Sequence, residues 1–372
     1  MVVDAASLIK SAKILCIKIG SSLLLDEQGL RGDWIDQLAA DIVLLRKQGT
    51  QVVLVSSGAV SAARGRTVQD GETLVRKQAL AAVGQPRLMM AYAEAFDQQQ
   101  TEIAQVLINP LDTEDRRRHL NVRGTLEELL NCGVVPIINE NDTVSSKALR
   151  YGDNDRLSAR VAGMINADVL LMLSDIDGLY TGAPDQDPTA KLIPWLDRIT
   201  PEDYARAGGT SSVYGTGGMR TKLQAAEMCL NSNCHMIIAS GKEDHALEKV
   251  CSGVSCTVFE AKGAPIQARK RWLSGLLTPN GQVIIDAGAA QAVLAGKSLL
   301  SAGVSGYDGA FERGDAVAIV DQAGKVMGHG LMNYSAAELE LIKGCKSAEI
   351  VMKLGFVRES TVIHRDNFML KD

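Results

Sequence analysis

The chain has 372 residues, too many for one ordinary hydrophobic core and enough for about two domains. A hydrophobic content of 46% with 22% charged residues excludes disordered and fibrous classes and indicates a folded globular chain. Lys and Arg number 39 against 44 Asp and Glu, and the resulting net charge of −5 argues against a general nucleic-acid binder, although a local basic patch is compatible with it.

The 7 cysteines are scattered, odd in number and without a C-x-x-C pair, so neither a disulfide framework nor a zinc site is expected. Free thiols fit a reducing compartment. The N-terminus lacks the pattern of a secretory signal, and no apolar run reaches the roughly 18 residues of a membrane span. The expectation is a cytoplasmic protein with no membrane partner.

In chain order, short apolar runs alternate with longer amphipathic stretches. The runs are "KILCIKI", "QVVLVS", "IAQVLI", "VVPIIN", "DVLLMLS" and "HMIIAS". Most are apolar on both faces, as strands buried in a parallel sheet should be. Helical spacing falls between them at Trp34 to Gln48, Thr73 to Gln99, Asp115 to Asn131, Asp155 to Asn166 and Gly218 to Ser232. The alternation predicts a doubly wound α/β domain over residues 1–260. A basic, Gly- and Pro-containing stretch without periodicity then predicts a linker at 261–276. Beyond it, "GQVIIDAG", "DAVAIVD", "KVMGHGL", "EIVMKLG" and "TVIHRD" predict short strands of a small, mainly β domain at 277–360, followed by a tail at 361–372.

Nearly every run in the first domain ends in small or polar residues, as in "GSS", "SSGA", "NEND" and "SDIDG". Ligands collect at the carboxyl ends of strands in open parallel sheets, so these ends point to one shared edge, although turns are polar in any case. Lys18 sits within the first run and precedes Gly20, Ser21 and Ser22. It either reaches a phosphate at that edge or faces outward from an edge strand. The string "YGTGGMRTKLQAAEMCL" is a Gly-rich loop opening a helix whose apolar positions are Met219, Leu223, Ala226 and Leu230. Such a loop is an anion site or a hinge. Lys222 falls in the first turn, where the helix dipole disfavours a cation and a bound phosphate would account for it. In "GDND", Asp153, Asn154 and Asp155 offer more polar groups than one helix cap requires. Asp142, in "NENDTV", adds a carboxylate to the same edge. The string "AGKS" at Ala295 to Ser298 is rejected as a P-loop, since Gln291 stands where its first Gly belongs.

Taken together, "KIGSS", "VSSGA", "KQALAAVGQPRLM", "PIINENDTV", "GDNDRLSA", "SDIDGLYT" and "GTGGMRTKLQAA" resemble the amino acid kinase family, in this order and over nearly the whole chain. "GQVIIDAGAAQAVL", "GKSLLSAGV" and "FERGDAVAIV" are similar to the PUA domain, a small β-barrel found in many RNA-modifying proteins. The fold implied is a three-layer αβα sandwich around a mainly parallel central sheet, followed by a mainly β PUA barrel.

The branch that carries this tail implies transfer of the ATP γ-phosphoryl group, with Mg²⁺, to the side-chain carboxylate of L-glutamate. The product, L-glutamyl 5-phosphate, opens proline synthesis. By matching motifs, Lys18, Lys222 and Asp155 are implied as catalytic, the lysines flanking the phosphoryl group and Asp155 orienting them. Ser57, Gly58, Asp142 and Asn154 are implied to contact glutamate. Lys18, Ser174, Asp175, Thr216, Gly217, Gly218, Met219, Arg220, Thr221 and Lys222 are implied to line the ATP site, with Asp153 holding metal directly or through water. The family often has Thr where Ser174 stands, and both supply a hydroxyl. The resemblance further implies proline as a feedback inhibitor acting through the glutamate site and the polar loop Asp112 to Arg123. It also implies a homo-oligomer, dimer or tetramer, and hand-over to glutamyl-5-phosphate reductase. The competing reading is a protein that works mainly through RNA, using the PUA-like tail and the basic "ARKRW" at Ala268 to Trp272.

Overall fold

A computed structural model describes residues 4–27, 29–63, 73–144, 154–184, 186–207, 218–263, 279–356 and 359–370. The chain divides into two compact units, Met1–Gly263 and Ala264–Asp372. The stretch expected as a linker at 261–276 lies largely outside the described residues.

The first unit is a three-layer α/β sandwich. In chain order its main elements are β1 (Ile14–Ile19), α1 (Gly32–Lys47), β2 (Gln51–Ser56), α2 (Leu74–Gln98), β3 (Ile103–Ile108), α3 (Arg116–Asn131) and β4 (Val135–Glu140). There follow α4 (Asn154–Met164), β5 (Val169–Ser174), β6 (Trp195–Leu196), α5 (Met219–Asn231), β7 (His235–Ser240), α6 (Ala246–Cys251) and β8 (Cys256–Phe259). The strands form one eight-stranded sheet in the order β3-β4-β2-β1-β5-β7-β8-β6. All pairings are parallel except that of β7 with β8.

Alternation along β1 explains the layers. Leu15, Ile17 and Ile19 face a core built with α1 and α2, through Trp34, Ile35, Leu38, Leu88 and Tyr92. Cys16 faces the opposite core, built with α3, α4 and α5. Since side chains two apart share a face, Lys18 lies on the Cys16 side, under α4 and α5. β1 is central, pairing with β2 and β5, so the edge-strand reading of Lys18 is excluded. The small residues Ala159, Ala162, Ala225 and Ala226 are buried in the same cluster, where they let α4 and α5 lie close together.

The segment Asp112 to Arg123, which the resemblance implied as a loop and the helical spacing from Asp115 implied as mostly helix, is mostly helical. It contains the end of a short helix, Pro110–Glu114, and the start of α3, whose first turn is capped by Asp115 accepting from the Arg118 N–H at 2.9 Å.

The second unit has a five-stranded sheet of β9 (Gly281–Ile285), β10 (Val304–Gly309), β11 (Ala316–Asp321), β12 (Val326–Leu331) and β13 (Phe368–Leu370), in the order β10-β9-β11-β12-β13. Its helices α7 (Ala287–Leu294), α8 (Ala336–Ile342) and α9 (Ile350–Leu354) pack through Val293, Leu339, Ile342 and Ile350 on a core of Val283, Ile285, Val317 and Ile319. The run "EIVMKLG", expected as a strand, is therefore helical, with Ile350 inward while Val351 and Met352 are 50% and 78% exposed. In the 361–372 segment, expected as a tail, Val362 and Ile363 are fully buried and β13 pairs with β12.

Candidate active site

The site is organised around one carboxylate. Asp155, in the first turn of α4, is 0% exposed. Its Oδ1 lies 2.5 Å from Lys18 Nζ, and its Oδ2 lies 3.1 Å from Lys222 Nζ. The lysines are 7% and 6% exposed, so both cations are drawn largely out of water onto the same group. Thr221 Oγ1 adds a contact to Asp155 Oδ2 at 2.9 Å and another to the Gly218 carbonyl at 2.8 Å.

Each member arrives by a separate structural route. Lys18 projects from the central strand, aligned with Val55 and Met172 on its neighbours. Lys222 and Thr221 belong to the first turn of α5, which buries Leu223, Ala225, Ala226 and Cys229. Asp155 supplies the negative charge that Lys222 lacks at a helix N-terminus, and it gains from the dipole of α4 itself.

Burial alone would raise the Asp155 carboxyl pKa, but Lys18 and Lys222 override it and hold the group well below the ordinary carboxylate range. At an effective dielectric near 20, two like charges about 5 Å apart repel by roughly 3 kcal/mol. A carboxylate between the ammonium groups offsets that repulsion and leaves a net positive pair facing the strand ends. Such a pair suits a group that carries spread negative charge.

The neighbouring strand ends add polar groups. After β2, Ser57 leads into Gly58, whose φ of +101° is left-handed and favours glycine. The turn Ala59–Ala62 that follows lies against α2 at Gly84, where a Cβ would stand 1.8 Å from the Ala59 carbonyl oxygen. Asn154 donates from Nδ2 to the Ser56 carbonyl at 2.7 Å and to Asn139 Oδ1 at 2.8 Å. Ser174 ends β5, is buried, and donates to Asp175 Oδ1 at 3.0 Å. Asp142 lines a cleft of about 260 Å³ beside Gln85, Glu140 and the outer strand residues Gln105 and Leu107.

The structure thus brings Lys18, Lys222, Asp155 and Thr221 into one hydrogen-bonded group, and Asn154, next to Asp155 in the chain, joins a separate one at Asn139 and at the β2 end that precedes Ser57 and Gly58. Met219 packs against the apolar core, and the Arg220 guanidinium lies 5.6 Å from the centroid of the Tyr204 ring. Asp153, Thr216 and Gly217 lie outside the described residues. Sequence reasoning missed Ser56, Gln85, Tyr92 and Asn139 as parts of the site. Asn139 and Gln85 fall inside the strings "PIINENDTV" and "KQALAAVGQPRLM"; Tyr92 has no such signal.

A parallel sheet with two lysines and a buried carboxylate at its carboxyl edge defines a phosphotransferase-like α/β domain. A family model described as "Amino acid kinase family" matches residues 13–240, and one described as "PUA domain" matches residues 281–354; the chain belongs to the amino acid kinase family. Within it, the chain is similar along nearly its whole length to glutamate 5-kinases. It is 48% identical over 364 residues to the Glutamate 5-kinase of Paramagnetospirillum magneticum, covering 97% of this chain and 98% of that protein. It is 47% identical over 371 residues to Glutamate 5-kinase 1 of Rhizobium meliloti, covering 98% and 94%. For the Glutamate 5-kinase of Agrobacterium fabrum the figures are 48% over 361 residues, 96% and 92%.

Proposed function

We infer that the chain transfers the γ-phosphoryl group of ATP to the side-chain carboxylate of L-glutamate, giving L-glutamyl 5-phosphate and ADP, the first step of proline biosynthesis. The observation that carries this reading is the convergence of Lys18 and Lys222 on Asp155. The substrate assignment draws on the similarity to glutamate 5-kinases.

The acceptor carboxylate has an unperturbed pKa of about 4.3, so at neutral pH it is a nucleophile without a general base. One of its oxygens forms a bond to the γ-phosphorus while the bond to the β-bridging oxygen breaks, and ADP leaves with that electron pair. The protein's task is to bring two anions together and stabilise spread charge. Lys18 and Lys222 do so from either side of the phosphoryl group. Asp155 sets their direction, and Thr221 fixes Asp155. Ser57 and the Gly58 amide contact glutamate, with Asp142 and Asn154 at its ammonium. Ser174, Asp175 and the segment Thr216 to Lys222 line the nucleotide.

Mg²⁺ typically binds nucleotide phosphates with only one or two protein carboxylates, adding charge neutralisation. Asp155 is committed to two lysines and does not suit that part. Asp153 remains the ligand we propose.

The readings of proline as an inhibitor competing at the glutamate site, of a dimer or tetramer, of hand-over to glutamyl-5-phosphate reductase and of a cytoplasmic location belong to the same proposal. All seven cysteines are free thiols, and among the described residues no helix is long and apolar enough to cross a membrane. Action mainly through RNA is not favoured, because the catalytic unit is matched across its length.

Hydroxylamine traps acyl phosphates, so ATP, Mg²⁺, glutamate and hydroxylamine should give a hydroxamate at rates that depend on glutamate. Product with aspartate or acetylglutamate instead of glutamate would transfer the chain to another acceptor. Millimolar proline should raise the glutamate concentration needed for half-maximal rate, and indifference to it would remove the inhibitor assignment.

A further inference from the structure

Helix α2 presents two buried polar side chains, Gln85 and Tyr92, about two turns apart and hence on one face. Neither has a part in the chemistry above, yet each ends on a residue at the carboxyl edge of the sheet. Gln85 Oε1 accepts from Asn139 Nδ2 at 2.8 Å, and the Tyr92 hydroxyl shares a hydrogen bond with Ser56 Oγ at 2.9 Å. The two arms meet again at Asn154, which donates to Asn139 Oδ1 and to the Ser56 carbonyl.

The chain of amides has a single polarity. A backbone carbonyl only accepts, so the Asn154 group facing Ser56 O must be the NH₂. Both of its hydrogens are then engaged, one by Ser56 and one by Asn139. Asn139 Oδ1 also accepts from the Glu140 N–H at 2.8 Å, so Asn139 must turn its own NH₂ toward Gln85. Gln85 supplies the acceptor that makes this orientation complete. With both hydrogens engaged, the group that Asn154 keeps for a ligand is its oxygen Oδ1, an acceptor. A hydrogen-bond donor is recognised there, and a carboxylate is repelled.

We propose that Gln85 is a positioning residue for substrate recognition: by accepting from Asn139 Nδ2 it completes the amide chain that the Glu140 N–H and the Ser56 carbonyl orient, and so holds Asn154 with an acceptor shown to the α-ammonium of the amino-acid substrate, with Tyr92 steadying the Ser56 arm. The proposal rests on the glutamate-phosphorylating reading. Gly84 holds the device in register, since the contact of α2 with Ala59 at that position places the following residue, Gln85, against Asn139.

The test compares wild type, Gln85→Leu and Gln85→Glu in the hydroxamate assay, with melting temperatures alongside. Loss of the acceptor leaves a buried Asn139 NH₂ unsatisfied and loosens the side chain on which Asn154 rests, so Gln85→Leu should raise the glutamate KM by about tenfold to a hundredfold. The KM for ATP should stay within about twofold. Glutarate, which has no ammonium, should inhibit wild type and Gln85→Leu alike. Gln85→Glu keeps an acceptor toward Asn139 and should recover most of the glutamate affinity. An unchanged glutamate KM in Gln85→Leu overturns the proposal. So does a parallel rise for glutamate, glutarate and ATP with a lowered melting temperature, which marks a purely structural role. Failure of wild type to act on glutamate at all would instead strike the functional reading on which the proposal stands.

Discussion

Asp155 shows how one buried carboxylate can serve two cations without taking part in proton transfer. Its folded pKa is depressed, so its contribution to stability is fully present above the unfolded value of about 3.9 and is lost only as pH falls through the lower folded value. Replacing it with Asn keeps the shape and removes the charge, leaving Lys18 and Lys222 buried against each other. We expect Asp155→Asn to lower turnover by at least about a hundredfold, because the charges that meet the phosphoryl group lose their aim. Removing one partner of a buried ion pair costs about 3–5 kcal/mol, which denaturant unfolding at pH 7 should show. The stability gap between wild type and variant should stay level from pH 8 to pH 5 and narrow only below about pH 4. A gap that closes near neutrality would mean that Asp155 is not held ionised by its lysines. Lys222→Ala should cut turnover far more than it weakens glutamate binding, whereas equal effects on both would make Lys222 a binding group.

At the scale of elements, the position of the Ser57–Gly58 turn depends on α2. A Cβ at residue 84 would meet the Ala59 carbonyl oxygen at 1.8 Å and its carbon at 2.9 Å, both backbone atoms that cannot rotate away. Gly84→Ala must therefore push the Ala59–Ala62 turn off the helix. We expect a loss of roughly 1–3 kcal/mol in unfolding free energy with a raised glutamate KM. An unchanged glutamate KM would show that the turn does not carry the substrate contacts. Strands such as β1, β2 and β5 were legible because they are apolar on both faces, and the helices because their buried positions repeat at helical spacing. The run at Glu349 to Gly355 misled because a short apolar stretch has no period long enough to separate helix from strand. The lysines and Asp155 stood out as charges beside apolar runs. The amide chain did not, since Asn154 meets Ser56 across 98 positions and Asn139 meets Gln85 across 54, and such contacts leave no local trace.

At the scale of the whole chain, each of the two units has hydrophobic clusters of its own. The first holds two cores, one on each face of its sheet, and the second has its own, centred on Val283, Ile319, Tyr334 and Ile350. Every residue assigned to substrate, nucleotide or catalysis belongs to Met1–Gly263. The bond between Lys222 and Asp155 spans 67 positions, so the site exists only when this unit is folded through α5. Nothing in the chemistry proposed requires a group from the β-rich unit. A chain ended at Gly263 should therefore fold, unfold cooperatively and form hydroxamate from glutamate with a kcat within about fivefold of the full chain, a change of roughly 1 kcal/mol in the barrier. The comparison is informative in both directions if circular dichroism and melting are followed together with turnover. Should the shortened chain melt cooperatively yet lose more than about a hundredfold in kcat, the second unit would have to complete the active site. Retained turnover with altered proline inhibition would assign that unit to regulation instead.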